Sequence, residues 1–120
     1  MASTLPRPGQ PVRGSKTGKP IMALFDLLGR TWALGTVWQL STGAMTFREL
    51  QAACGMVSPS VLNRRLKELM ASGLVERAER GYQLSEAGRE LFALLQPLGG
   101  WSETWADRIA QTEVDDGQPI

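Results

Sequence analysis

The spacing of apolar residues after residue 20 indicates a mainly helical chain. The segment "PIMALFDLLGR" begins with proline, which suits the first turn of a helix, and Gly29 suits the end of that helix. A second helix is predicted over "TWALGTVWQLSTG", with Thr31 as its candidate cap. Its apolar residues lie nearly all round the helix, so we expect this helix, with Trp32 and Trp38, to be buried in the core.

Two capping patterns start the next two helices close together. The segment "TFREL" predicts a capping box between Thr46 and Glu49, which opens a third helix that ends before Gly55. Ser58 is the predicted cap of a fourth helix, which has proline in its first turn and ends near Ser72. Because only a short turn separates these helices, the pattern predicts a helix-turn-helix unit.

After Gly73 the spacing changes from helical to strand-like. The segment "LVERAERGYQLS" predicts two short strands joined by a tight turn, with Arg80 and Gly81 at the tip. A fifth helix starts at Ser85, Pro97 bends or stops it, and a last amphipathic helix follows. The predicted fold class is therefore α+β and mainly helical: a winged helix-turn-helix with a short two-stranded wing and terminal dimerisation helices.

The fourth helix has two chemically different faces. Its leucines recur at steps of four and three, which places on one face Leu62, Leu66 and Leu69. Asn63 and Arg64 project away from that face and have the donors and acceptors to pair with adenine and guanine in a major groove, while Lys67 is better placed for a phosphate. Alone, this pattern favours any amphipathic helix with a solvated polar face. The helix-turn-helix context changes the balance and favours double-stranded DNA as the partner.

The predicted DNA-binding residues extend beyond this helix. We expect DNA contacts from Ser58, Ser60, Asn63, Arg64, Lys67, the wing residue Arg80, Thr46 and Arg48 of the third helix, and Arg30 before the second. Arg65 is about 100° round the helix from Arg64, so we expect it to bridge to Glu68 or Glu49 inside the domain.

Charge is segregated along a nearly neutral chain, which has 13 Lys and Arg against 12 Asp and Glu and a net charge of +1. Residues 1–19 are basic, and their Pro, Gly, Ser and Lys content predicts a flexible N-terminal arm. Residues 111–120 carry only acidic charges and predict a flexible tail. The winged helix-turn-helix domain is expected at residues 20–110. Contact between the basic arm and DNA is left open.

Apolar residues near both ends of this domain predict a two-fold interface. Trp101 and Trp105 could stack on a small ligand, but large aromatics at helical spacing near a terminus usually pack against a partner or their own domain. The predicted homodimer interface comprises Ile21, Leu24, Leu94, Leu98, Trp101 and Trp105.

Catalysis has few candidate groups in this sequence. The chain has no histidine and one cysteine, and it shows no Gly-rich phosphate loop and no metal-ligand cluster, so we expect neither an enzyme nor a cofactor or metal. Cys54 cannot form a disulfide within the chain and is expected to be a small buried hydrophobe. The absence of a signal peptide or a membrane-spanning segment predicts a cytoplasmic protein. An unknown small-molecule effector is left open as a further partner.

The motifs together resemble the HxlR-type winged helix-turn-helix regulators, relatives of the MarR group. The resemblance rests on "ALFDLLGRTWALGTVWQL", "MTFRELQ", "VSPSVLNRRLKELMASGLVER" and "YQLSEAGREL", which follow one another at compatible spacing over residues 20–110. It implies a bacterial transcription factor that binds operator DNA as a homodimer. In such proteins the helix matching residues 58–72 reads the major groove, and the first and last helices form the dimer interface.

The chain departs from the family pattern at two places. Many members begin the matching region with Cys-Pro, and in some of them that cysteine senses electrophiles or oxidants. Lys19 precedes Pro20 in this sequence, so thiol switching by the family's usual route is not expected. The wing is shorter than in relatives, which leaves Arg80 to make the wing contacts.

The competing interpretation is a winged-helix protein-protein interaction module without a DNA role. Such a module needs buried apolar anchors where a groove-binding helix is polar. The polar residues of the fourth helix argue against it, while the near-zero net charge argues mildly for it.

Overall fold

The computed structural model of the chain describes residues 5–12 and 17–117, with side chains up to residue 113. In this part of the chain the elements are, in order, α1 Pro20–Leu28, α2 Ala33–Leu40, α3 Phe47–Ala53, α4 Pro59–Ala71, β1 Val75–Ala78, β2 Gly81–Leu84, α5 Glu86–Leu95 and α6 Pro97–Gly117. The chain divides into two compact units, the first ending at Arg89 and the second beginning at Glu90. The predicted fold class, mainly helical with a two-stranded antiparallel sheet, is confirmed.

The core of the first unit is built from apolar residues of every element up to β2. The residues with the smallest exposure come from α2, α3 and α4, and the core set includes Leu27, Val37, Leu40, Leu50, Leu62, Leu66, Leu69, Val75 and Leu84. Since burial of a large aliphatic side chain stabilises a fold by about 1.5 to 3 kcal/mol, this set is the main stabilising contribution within the unit.

The caps predicted for α3 and α4 are present. The Glu49 backbone N–H donates to the Thr46 hydroxyl at 3.1 Å, and the Thr46 backbone N–H donates to the Glu49 carboxylate at 2.9 Å, which is the predicted capping box. The Ser58 hydroxyl accepts from the Val61 N–H at 3.2 Å, and proline follows in the first turn of α4. The helix starts that the sequence predicts for α3 and α4 are therefore confirmed.

The predicted start and burial of α2 are wrong. Thr31 does not cap this helix: the N-cap is Trp32, in the left-handed conformation with φ of 68° and without a side-chain cap bond. Trp32 and Trp38 are each 39% exposed, whereas the face toward the core has the smaller residues Ala33, Thr36 and Val37. A helix of eight residues that packs along one side leaves its other side open, even where that side is aromatic.

The wing turn lies one residue earlier than predicted. The strands pair from Val75 with Leu84 to Ala78 with Gly81, so the turn consists of Glu79 and Arg80, and Gly81 belongs to β2. Gly81 has φ of 103°, and a Cβ at this position would overlap the Met45 carbonyl oxygen. That close approach exists because Met45 and Tyr82 exchange backbone hydrogen bonds of 2.8 and 2.9 Å.

The termini differ from the expected flexible segments where the structure describes them. Pro97 ends the preceding helix as predicted, but α6 continues through residues 111–117, so the residue-110 boundary is not an end of secondary structure. Near the N-terminus Pro6 is buried, and the Gly9 N–H donates to the Gly18 carbonyl at 2.7 Å. Residues 1–4, 13–16 and 118–120 lie outside the described part of the chain. Of the helices that the structure describes, none combines the length and hydrophobicity needed to cross a bilayer.

Gly88 provides a test of how closely α5 approaches the rest of the first unit. A Cβ at this position would overlap the Leu74 carbonyl oxygen, so we expect Gly88→Ala to lower the free energy of unfolding by about 1 to 3 kcal/mol. Gly100→Ala is the matched control, because a Cβ there meets nothing within 4 Å, and a helical glycine-to-alanine change stabilises by about 1 kcal/mol. Urea unfolding followed by circular dichroism measures both. Equal effects of the two changes would contradict the close approach at Gly88.

Candidate nucleic-acid interface

The burial of α4 separates its polar residues from its leucines. Leu62, Leu66 and Leu69 are each 0% exposed, and successive residues of a helix are rotated by about 100°. The side of the helix opposite the leucines therefore faces solvent, and the structure leaves exposed at the start of the helix and along this side Ser58, Ser60, Asn63, Arg64 and Lys67. This surface, the α4 polar face, has hydroxyl, amide, guanidinium and ammonium groups, which are the side chains that hydrogen-bond base edges and phosphates.

The N-terminal end of α4 is held in place by its cap. The Ser58 hydroxyl oxygen accepts from the Val61 N–H and lies 3.4 Å from the Ser60 hydroxyl. Both hydroxyls are at the exposed start of the helix, where they adjoin the α4 polar face. The sequence forms a helix here because proline fixes the backbone of the first turn and serine satisfies a backbone donor.

Arg65 is directed into the first unit and does not belong to the α4 polar face. Its Nε donates to the Thr31 carbonyl at 2.7 Å, its Nη1 pairs with Glu68, and its side chain is 12% exposed. Of the two bridges predicted for Arg65, the one to Glu68 is confirmed. The two neighbouring arginines of α4 thus have different environments, with Arg64 exposed and Arg65 enclosed.

Arg30 is also directed into the unit, which does not fit the phosphate contact predicted for it. Its guanidinium forms ion pairs with Glu68 and, at 4.0 Å, with Asp26, and its side chain is 16% exposed. Because two enclosed carboxylates already neutralise the charge of this arginine, its attraction for a phosphate is weakened. The structure separates Arg30 from the α4 polar face and places it behind the helix.

The third helix contributes one exposed cation and a capped end. Arg48 is exposed, whereas the half-buried Thr46 uses its hydroxyl in the capping box. The pKa of Glu49 is lowered, first by the hydrogen bonds from the Thr46 backbone and side chain and then by the positive charge of Arg80. Arg80 at the wing turn is therefore near enough to α3 to stabilise the Glu49 carboxylate, and an open depression lies between the two elements.

The wing has a second exposed arginine that the sequence analysis did not single out. The Arg77 guanidinium lies 4.9 Å from the centre of the Tyr82 ring, its cross-strand partner, in a cation–π contact. Beside it, Gln83 donates to the Glu76 carboxylate at 2.7 Å. Alternation along β1 gives no signal for Arg77, because the burial of this strand does not alternate. The contact becomes visible only when the structure pairs Arg77 with Tyr82.

Cys54 is enclosed within the helix-turn-helix. It is 1% exposed, and burial raises the pKa of its thiol against the opposing effect of a hydrogen bond with Thr36. Its predicted role as a buried hydrophobe agrees with this placement.

The residues predicted for a dimer interface are largely exposed. On α1, Ile21 is exposed and Leu24 is half-buried. In the second unit, Leu94, Leu98, Trp101 and Trp105 are all more than half exposed, and the two tryptophan rings stack with centroids 6.1 Å apart and an interplanar angle of 8°. Exposed apolar surface of this kind is typical of sites of contact with another molecule.

Comparison with known proteins identifies the family of the chain. A family model described as HxlR-like helix-turn-helix matches residues 27–110. The chain is 34% identical over 89 residues to the HTH-type transcriptional regulator YvaP of Bacillus subtilis, a match that covers 68% of this chain and 82% of YvaP. It is 31% identical over 90 residues to the HTH-type transcriptional regulator YodB of the same organism, covering 69% of this chain and 80% of YodB.

Solved structures agree with the sequence matches. The crystal structure of quinone-bound YodB superimposes with a TM-score of 0.64 at 33% identity, covering 70% of this chain and 96% of that one. A possible HxlR family transcriptional factor from Thermoplasma volcanium superimposes with the same TM-score of 0.64 at 28% identity, covering 70% and 82%. The family model spans most of the chain and includes the α4 polar face and the wing. The chain therefore belongs to the HxlR family of helix-turn-helix transcriptional regulators, which are DNA-binding proteins.

Proposed function

We propose that the chain binds an inverted-repeat operator as a homodimer, with α4 of each copy in a major groove. The observation that carries this proposal is the α4 polar face, which is exposed along the helix while the leucines on the other side are fully buried. A helix held in this way presents its polar groups as a rigid set. The two recognition helices of such a dimer read half-sites about one helical turn of DNA apart, roughly 34 Å.

Each residue of the α4 polar face has a role that follows from its chemistry. Asn63 pairs with adenine and Arg64 with guanine, since the amide and the guanidinium match two adjacent groups on those base edges. Lys67, one turn further along, neutralises a phosphate, and Ser58 and Ser60 donate to the backbone at the start of the helix.

Three exposed cations outside α4 extend the proposed footprint. Arg48 on α3, together with Arg77 and Arg80 on the wing, adds phosphate contacts next to the groove-binding helix. Because these three cations and those of the α4 polar face are exposed, a net charge of +1 for the whole chain is compatible with DNA binding. Arg30 is not part of this footprint, because its charge is used within the unit.

The homodimer is supported by apolar surface that one copy leaves in water. Leu94, Leu98, Trp101, Trp105 and Ile109 recur at steps of three and four along the second unit, and all are exposed. Paired aromatic and aliphatic side chains at such spacing form the core of helical dimer interfaces. A second copy of the chain is the partner that a palindromic operator requires, since operator symmetry matches the two-fold axis of the protein.

Asn63→Ala and Arg64→Ala test the reading role of α4. Each should weaken binding to the operator by about 1 to 3 kcal/mol and relax the preference at one base pair, because each removes a base contact. Lys67→Ala is the comparison: it should weaken binding to all duplexes similarly and reduce the slope of log affinity against log salt by about 0.9. Selection from randomised duplexes followed by fluorescence-anisotropy titrations over a salt series measures both effects. Unchanged operator binding by both α4 variants would show that another element reads the sequence.

Trp101→Glu and Trp105→Glu test the dimer. Placing a carboxylate on the exposed apolar stripe of α6 should convert a dimer into a monomer in sedimentation equilibrium, since a buried unpaired charge opposes association. Ala110→Glu adds the same charge to an exposed position on the opposite side of α6 and should leave the dimer intact. Circular dichroism confirms that helix content is kept. Dimers of unchanged affinity in both tryptophan variants would locate the interface elsewhere.

A further inference from the structure

Behind the α4 polar face lies a group of charged residues whose side chains are largely enclosed. We propose that Glu68, acting with Arg30, Arg65 and Asp26, is a positioning residue that fixes the rotation of α4 about its own axis and thereby sets operator specificity without touching DNA. These four residues are called the α4 charge network below. The inference rests on the proposed role of α4 as the reading helix.

Glu68 is the centre of the α4 charge network. One carboxylate oxygen pairs with Nη1 of Arg30 and the other with Nη1 of Arg65, so both oxygens have a guanidinium partner. The Glu68 side chain is 13% exposed. Arg65 also donates from Nε to the Thr31 carbonyl at 2.7 Å, which ties α4 to the segment between α1 and α2.

The network extends from α4 to α1. Arg30 follows the end of α1, and its Nη2 lies 4.0 Å from Asp26, one turn earlier on that helix. The side chain of Asp26 is 6% exposed. Two cations and two anions therefore meet in a largely enclosed space with no net charge, which is the arrangement that makes a buried ion network tolerable. The orientation of α4 is thus linked to that of α1 by ion pairs as well as by apolar packing.

The position of the network on the helix explains why rotation is the property it controls. At about 100° per residue, Arg65 and Glu68 lie along one edge of α4, between the leucine face and the α4 polar face. The buried leucines fix which side of α4 faces the core, and because apolar contacts are non-directional, they define its rotation less finely than hydrogen bonds do. Charge-assisted hydrogen bonds have preferred distances and angles, and here they act on one edge only.

Small rotations matter for reading bases. A group about 6 Å from the helix axis moves by about 1 Å when the helix rotates by about 10°. The range of good hydrogen-bond distances is about 0.5 Å, so such a rotation breaks a bidentate base contact. Attraction between a cation and a phosphate falls off slowly with distance and survives the same rotation. Loss of the network should therefore lower sequence-specific binding and spare binding to random duplex.

The network also determines which α4 arginine is available to DNA. Arg64 lies one turn before Glu68, a spacing at which an arginine and a glutamate can pair on a helix surface. Both oxygens of Glu68 are taken by Arg30 and Arg65, and within the described part of the chain Arg64 forms no ion pair. Arg64 is therefore left facing solvent at the proposed reading position.

Glu68→Gln is the first test, because it keeps the size of the side chain and removes the charge. The variant should bind the selected operator at least tenfold more weakly than wild type. Binding to random duplex of the same length should be unchanged or tighter, since one negative charge is lost. Glu90→Gln is the matched control: it removes the same charge from an exposed position of α5 and should keep the wild-type ratio of the two affinities. Thermal melts by circular dichroism set an assay temperature at which every variant is folded.

A second variant tests whether the residues act as one unit. Arg30→Gln should lower the ratio of operator to random-duplex affinity although its guanidinium faces the interior. The double variant with Glu68→Gln should lose no more specificity than the worse single variant, because the interaction has already been removed. Multiplied losses in the double variant would overturn the proposal that these residues form one positioning unit.

Two results of the Glu68→Gln titration would overturn the proposal as a whole. One is an affinity ratio equal to that of Glu90→Gln, which would show that the network does not affect reading. The other is a parallel loss of both affinities, which would reduce Glu68 to a stabilising residue. Asn63→Ala and Arg64→Ala in the same assay separate this inference from the proposed function: if they lose specificity and Glu68→Gln does not, only the positioning role fails.

Discussion

Burial of the three leucines of α4 is the constraint from which the other features of the site follow. Leu62, Leu66 and Leu69 are completely enclosed, which leaves the opposite side of the helix, with Asn63, Arg64 and Lys67, exposed to solvent. Removal of the leucines from water assigns every remaining α4 side chain to a face or an edge. The core residues of α2, α3 and the sheet provide the surface against which this happens. The α4 polar face is thus the part of the helix that core formation leaves exposed to solvent.

Apolar packing and ionic contacts make different contributions to the position of α4. The leucines supply most of the stabilisation and fix which side of α4 faces the core, whereas Glu68 and Arg65 add directional contacts at one edge. A balanced network of this kind adds little net stability compared with apolar residues of the same volume. Its presence beside the helix proposed to read DNA is therefore explained by geometry and not by stability.

Local chemistry was readable from the sequence, and distant contacts were not. Thr46 and Ser58 mark the starts of α3 and α4 because a cap involves residues three apart. The wing turn was predicted one residue too late because the conformation of Gly81 depends on Met45, far away in sequence. The ion pair of Arg30 was not predicted for the same reason, since Glu68 lies 38 residues further along. Periodicity also could not tell which side of the short α2 faces the core, so the exposure of its tryptophans was missed.

The placement of Cys54 has a consequence for how the folded chain can be observed. The sulfur is enclosed at the end of α3, and burial raises the pKa of the thiol, so the reactive thiolate is scarce and out of reach. A reagent meets it only after the segment joining α3 to α4 has opened. Where reclosing is faster than modification, the labelling rate is proportional to the population of that open state, as in amide hydrogen exchange. The chain thus contains, in one atom, an intrinsic probe of the local opening free energy of its helix-turn-helix.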